Sequence, residues 1–215
     1  MDKVYNFMYL YIEDLKNNYM EKYKVKVITL LRRQDRRDKL EKQQFFKNIN
    51  FEYVVGINGQ EYELTDFDKE FIKGNDYEKY NIHIPSLVAA NYTHLNLLEE
   101  CASQDLPYFI FEDDTEQLQD FPLELVERIA NRKNVDYYWL VADQPTILAY
   151  VIWPKGAEKI IEHVTNTAKL SRGLDWQIFE MKKNILLRGD QVKSSYFTQV
   201  PGKDSDITNL ENYEK

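Results

Sequence analysis

Pro107-Tyr108-Phe109-Ile110-Phe111 runs directly into Glu112-Asp113-Asp114, and this junction restricts the fold more than any other stretch of the sequence. A short apolar run bounded by polar breaks reads as a buried strand. Three adjacent carboxylates repel one another unless water, protons or a cation intervene. The strand must therefore leave the core where charge is tolerated. Successive residues of a strand face opposite ways, so Glu112 and Asp114 share a side for as long as the strand persists. Carboxylates of this kind suit Mg²⁺ or Mn²⁺, which commonly bridge one or two protein oxygens to substrate phosphates. A solvated acidic loop is the simpler reading of three acids alone. The apolar strand before them favours a metal- or phosphate-handling site.

The flanking segments set the fold class. KVKVITLL, residues 24–31, is β-branched and apolar and reads as a second buried strand. It passes into RRQDRRDKLEKQQFF, rich in helix formers and free of Pro and Gly, which predicts a single helix. FEYVVGI follows as a strand ending at the turn pair Asn58-Gly59. A strand–helix–strand opening begins an α/β layer structure, and open α/β sheets bind ligands at the carboxyl ends of their strands. Further helices are expected near 65–72, 85–103 and 121–131, after Pro154, and from Asp175, the last leading into a short strand. Strands are expected at 134–142 and 146–153, with a final one in QVKSSYF. The chain reads as one α/β domain over 23–198, with an amphipathic helix in 1–22 packed on it and a polar tail or lid over 199–215.

Charge narrows the ligand. A formal charge of −8 disfavours a protein that tracks a nucleic-acid backbone, because phosphate contacts need clustered positive charge. A small anion in a local basic pocket remains compatible. Arg32, Arg33, Arg36 and Arg37 form such a cluster at the end of the first strand. Cations are unfavourable near a helix N-terminus, and guanidinium groups grip phosphate in a fork. Arg32 and Arg36 are spaced to share one side of a turn, whereas Arg33 and Arg37 suit a solvated, salt-bridged face. A single cysteine, Cys101, and three histidines argue against a structural zinc site. No apolar run approaches the roughly 20 residues that span a bilayer, so a soluble, cytoplasmic protein is expected.

Two more residues stand out. His94, in NYTHLNLL, lies in the helix before the acidic strand and is either a packed core residue or a substrate contact. Asp175, in GLDWQIFE, is either a helix N-cap or a general base beside Trp176, an aromatic surface able to stack a sugar or base. GINGQE is a lone turn that falls short of a dinucleotide or P-loop pattern. Ser194-Ser195 lacks the glycines of a nucleophile elbow.

Taken in order, these segments resemble glycosyltransferase family 25, which includes lipooligosaccharide and collagen hydroxylysine galactosyltransferases. VITLLRRQDRR supplies Ile28, Leu30, Arg32 and Arg36, with Thr29 where the family has asparagine. FEYVVGINGQE carries Asn58 where aspartate is common. In AANYTHLNLLEE, Asn91 and Thr93 replace cysteine and serine, and His94 is retained. PYFIFEDDTE looks like the family's Glu-Asp-Asp strand, and ILAYVIWPKGAEKIIE aligns Tyr150, Gly156, Ala157 and Glu158. GLDWQI supplies Asp175. The resemblance runs from about residue 25 to 180.

It implies a GT-A-type nucleotide-sugar-binding fold, a Rossmann-like mixed sheet flanked by helices. The implied chemistry is transfer of galactose or glucose from a UDP-sugar to an acceptor hydroxyl. Asp114 and Glu112 would hold Mn²⁺ or Mg²⁺. Arg32, Arg36, His94, Glu112 and Asp113 would shape the donor site. Such a transfer needs charge compensation on the departing diphosphate and a base for the acceptor proton. Asp175 is the first candidate for that base and Asp143 the second, with inversion expected from the resemblance. The acceptor hydroxyl could belong to a glycan, a lipid-linked sugar or a protein. A sugar-phosphate nucleotidyltransferase and an inactive nucleotide-sugar-binding scaffold are the competing readings. Pyrophosphate release would mark the first, and UDP binding without turnover the second.

Overall fold

The computed structural model describes residues 22–72, 82–142, 146–167 and 173–199. The helix expected in 1–22 and nearly all of the tail expected in 199–215 lie outside them, as does Asp143. The described chain is a mixed α/β fold, a multi-stranded sheet flanked by helices. β1 (Lys24–Thr29), β2 (Glu52–Val55), β3 (Tyr108–Glu112), β5 (Tyr137–Trp139), β6 (Ala149–Ile152) and β7 (Gly189–Gln191) build a six-stranded sheet in the order β2-β1-β3-β6-β5-β7. β1 pairs in parallel with β2 and β3, and β5 with β7, while β6 runs antiparallel to both β3 and β5. β4 (Thr115–Gln117) and β8 (Phe197–Gln199) form a separate antiparallel pair.

Strand alternation divides the core between the two faces. Phe109 and Phe111 of β3 pack with Phe45, Phe46, Phe121 and Phe197 on one side. Tyr108 and Ile110 pack with Leu97, Leu98, Ile160 and Ile178 on the other. The first face is covered by α1 (Gln34–Leu40), α2 (Gln44–Asn48) and α5 (Leu123–Ala130). The second is covered by α4 (Ile84–Ala102), α6 (Pro154–Thr167) and α7 (Leu174–Lys183). A short α3 (Asp66–Phe71) completes the described helices. It opens with a capping box in which Thr65 and Asp68 satisfy each other's backbone N–H groups. Lys26 is buried within β1, and its ammonium reaches Glu52 at 2.7 Å and Glu100 at 3.0 Å, which lets a charged residue occupy a central strand.

Two expectations need correction. The single helix over RRQDRRDKLEKQQFF is broken into α1 and α2. At the break the Gln43 amide acts like a strand: its Nε2 donates to Thr115 O and its Oε1 accepts from Gln117 N, both at 2.7 Å. Gln117 reciprocates by accepting from Phe45 N at 2.8 Å, at the start of α2, so this tertiary contact overrides helix propensity. The single strand expected in QVKSSYF is also divided, its ends belonging to β7 and β8. Phe197 is drawn away from the main sheet into the phenylalanine cluster.

Candidate functional site

The carboxyl ends of β1 and β3 open into a cleft of about 660 Å³, measured out to solvent, whose lining includes Arg32, Arg36, His94, Glu112, Asp113 and Asp114. The two sequence clusters and the helical histidine thus meet in one place. The reason is topological: β1 and β3 are parallel neighbours, with Ile28 beside Glu112, so the arginine turn and the acidic triplet leave the sheet together.

The triplet continues the alternation of β3. Glu112 follows Tyr108 and Ile110 toward α4, where its Oε1 lies 3.2 Å from His94 Nε2. His94 Nδ1 lies 3.0 Å from the Tyr150 hydroxyl, and the ring is buried. His94 is therefore both a packed residue and a wall of the cleft, and it orients Glu112. Asp113 follows Phe109 and Phe111 toward α1. Its carboxylate accepts from Arg36 Nη1 at 2.9 Å and Thr29 Oγ1 at 2.6 Å. Burial pushes the Asp113 carboxyl up from its ordinary value, and those two donors pull the other way.

Asp114 lies just beyond the strand. Its Oδ2 accepts from Gln199 Nε2 at 2.9 Å and lies 3.6 Å from Arg36 Nη1. Its Oδ1 is buried and has no hydrogen-bond partner among the described residues. Burial first, and the charge of Glu112 second, raise its pKa to about 7. Such an oxygen suits a cation, because an unmatched buried carboxylate is costly. Among the described residues no three or more His, Cys, Asp or Glu side chains converge as a metal cluster. Glu112 and Asp114 both line the cleft, and a Mg²⁺-like ion takes one or two protein carboxylates and completes its shell with water and phosphate oxygens.

The four arginines have separate contacts. Arg32 is exposed at the cleft and donates to Asn58 Oδ1 at 3.1 Å. Arg33 pairs with Asp35. Arg36 braces the acidic triplet. Arg37 donates to the carbonyls of Leu30 and Leu31 and to Thr29 Oγ1, fixing the turn after β1. Opposite, the Asn58-Gly59 turn presses on the first turn of α4. A Cβ added at Gly59 would lie 2.1 Å from Ser86 Cα, closer than any real contact.

Asp175 occupies the first turn of α7. The N-cap is Gly173, at φ +101°, a conformation that favours glycine, so the N-cap role considered for Asp175 is not the one observed. Asn91 Oδ1 instead accepts from Leu174 N at 2.9 Å. Burial raises the Asp175 carboxyl to about 6, with Glu112 adding to the rise and His94 opposing it. Asp175 is thus within electrostatic reach of the cleft without lining it. Asp143 is outside the described residues.

Gln199 joins the site from far along the chain. It lies 85 residues from Asp114, and no local pattern announces it. Asn91, Thr29 and Thr93, read as departures from a family pattern, each have a bonding role. Thr93 Oγ1 donates to Ala89 O and accepts from Ile57 N, fastening the loop after β2 to α4.

A family model described as glycosyltransferase family 25 (LPS biosynthesis protein) matches residues 22–140, more than half of the 215 residues. The match contains both clusters and His94, and Asp175 lies beyond it. No curated protein matches the chain.

Proposed function

The chain belongs to glycosyltransferase family 25, and from that premise we propose that it transfers a hexose, galactose or glucose, from a UDP-sugar to an acceptor hydroxyl. The observation that carries this reading is the cleft at the ends of β1 and β3, where Asp114 keeps a buried oxygen that has no hydrogen-bond partner among the described residues, beside Glu112 and the arginines. The mixed sheet flanked by helices is compatible with a GT-A-type fold. Asp114 and Glu112 would hold Mn²⁺ or Mg²⁺. A divalent cation there would offset the charge that develops on the departing diphosphate. Arg32 supplies positive charge at the mouth, while Arg36 holds Asp113 and stands behind Asp114. His94 fixes Glu112. Asp175, which stands near the cleft without lining it, would take the proton of an acceptor hydroxyl brought within its reach, and direct displacement on the sugar would invert its anomeric centre.

The test is a screen of nucleoside diphosphate sugars for Mn²⁺-dependent transfer or hydrolysis. Turnover of a UDP-hexose supports the reading, and release of pyrophosphate from a nucleoside triphosphate and sugar phosphate would replace it with nucleotidyl transfer. Asp114→Ala should lose Mn²⁺-dependent UDP binding by at least about tenfold with the fold retained. Unchanged affinity by calorimetry in the folded variant would remove Asp114 from the site.

A further inference from the structure

We infer that Gln199 is a positioning residue for Asp114, holding one carboxylate oxygen so that the other is presented to the donor's cation. The inference rests on the cation–UDP reading of the cleft and adds a residue that lies beyond the family match, which ends at residue 140.

The argument begins with Phe197. This ring is fully buried against Phe45, Phe111 and Phe121, so the direction of β8 is fixed from the core. Residues two apart on a strand share a face, and Gln199 is therefore aimed by the same anchor. The β4–β8 register places Gln199 opposite Thr115, the residue after Asp114, and its amide Nε2 meets Asp114 Oδ2 at 2.9 Å. The neighbouring strand is held just as closely. Thr115 Oγ1 donates to Leu148 O at 3.2 Å, and Gln43 fastens the other side of β4 through Thr115 O and Gln117 N. Asp114 thus stands at a turn fastened on both sides, with one oxygen bound by Gln199 and the other buried and without a hydrogen-bond partner among the described residues. Groups that hydrogen-bond a metal-binding carboxylate orient it, and losing one characteristically weakens metal binding 10–100-fold.

The test uses the full chain with Mn²⁺ alone, read by electron paramagnetic resonance, and with UDP plus Mn²⁺, read by calorimetry. Gln199→Leu removes the amide donor at an exposed position and should leave the melting temperature in EDTA within about 2 °C of the parent. Its Mn²⁺ affinity should fall on the order of tenfold. Gln199→Glu places a third carboxylate beside Asp114. It should lower the melting temperature in EDTA, and Mn²⁺ should then raise it by more than it raises the parent's. Parental Mn²⁺ affinity in both variants overturns the inference, as does equal destabilisation of both with Mn²⁺ binding intact, which would make Gln199 only a strand-docking residue. If the parent itself binds no Mn²⁺ with or without UDP, the cation reading fails, and the role of Gln199 falls with it.

Discussion

The reactivity proposed for Asp175 follows from its surroundings. A carboxyl raised to about 6 by burial and by the charge of Glu112 is a better proton acceptor than one of ordinary value, yet is mostly ionised at neutral pH. A base works when ionised, so kcat/KM should rise as pH increases through about 6 and then level off. Asp175→Asn should lower transfer by about 100-fold or more, leave UDP binding within about twofold, and abolish that limb of the pH profile. A variant that keeps the limb would exclude Asp175 as the base. The same substitution should stabilise the protein at neutral pH, because the raised pKa means that folding disfavours the ionised form. The residue types were legible in the sequence wherever their role is local: the carboxylates end an apolar strand, and the arginines follow another. Contacts made across the chain were not. Asn91 looked like a missing cysteine, yet it holds the first backbone N–H of α7 and so helps place Asp175. Thr29 stood where asparagine was expected, and its hydroxyl donates to Asp113.

At the scale of elements, strand and helix identity followed hydrophobic patterning, while several boundaries were set by side chains from elsewhere. β4 was invisible in advance because Thr115-Glu116-Gln117 is polar and only three residues long; its partners are β8 and the Gln43 amide. β7 is another short strand with little apolar content, and it adds to the sheet edge beside β5. Asp136 secures that edge. Its buried carboxylate accepts from Arg188 Nη2 at 2.8 Å, from Arg188 N at 2.9 Å and from Lys159 Nζ at 2.6 Å, tying α6 and the approach to β7 onto the start of β5. Burial alone would raise its pKa, but the bonds from Arg188 and Lys159 hold it at about 2 instead of 3.8, a difference of about 2 kcal/mol. Because the folded value is depressed, this stability is present above about pH 4 and is lost as pH falls toward about 2. Asp136→Ala should therefore melt lower than the parent at neutral pH. The gap, followed by circular dichroism, should close between about pH 4 and 2. A gap independent of pH would show that packing, rather than ionisation, makes Asp136 stabilising.

Across the whole molecule, the sheet distributes the proposed donor site between two cores. β3 is the shared element: Phe109 and Phe111 belong to one core, Tyr108 and Ile110 to the other. The acidic triplet carries that division out to the cleft, with Asp113 held from α1 and Glu112 from α4. The layer class could be read from the alternation of strands and helices, but the insertion of β6 between β3 and β5 could not, because strand order depends on pairings distant in sequence. A ligand bound at this junction stabilises the native state as a whole, since the unfolded chain cannot assemble a site from both layers. At a UDP concentration about 100 times its dissociation constant, with saturating Mn²⁺, that linkage amounts to about 2.7 kcal/mol. For a domain of this size it should raise the melting temperature by about 5–10 °C. The rise should require both components: UDP in EDTA should give much less, and Asp114→Ala should show little response to the pair. Differential scanning calorimetry on the parent and this variant provides the comparison. An equal rise in EDTA would mean that the arginines and backbone bind the nucleotide unaided, leaving Asp114's buried oxygen without the cation proposed for it.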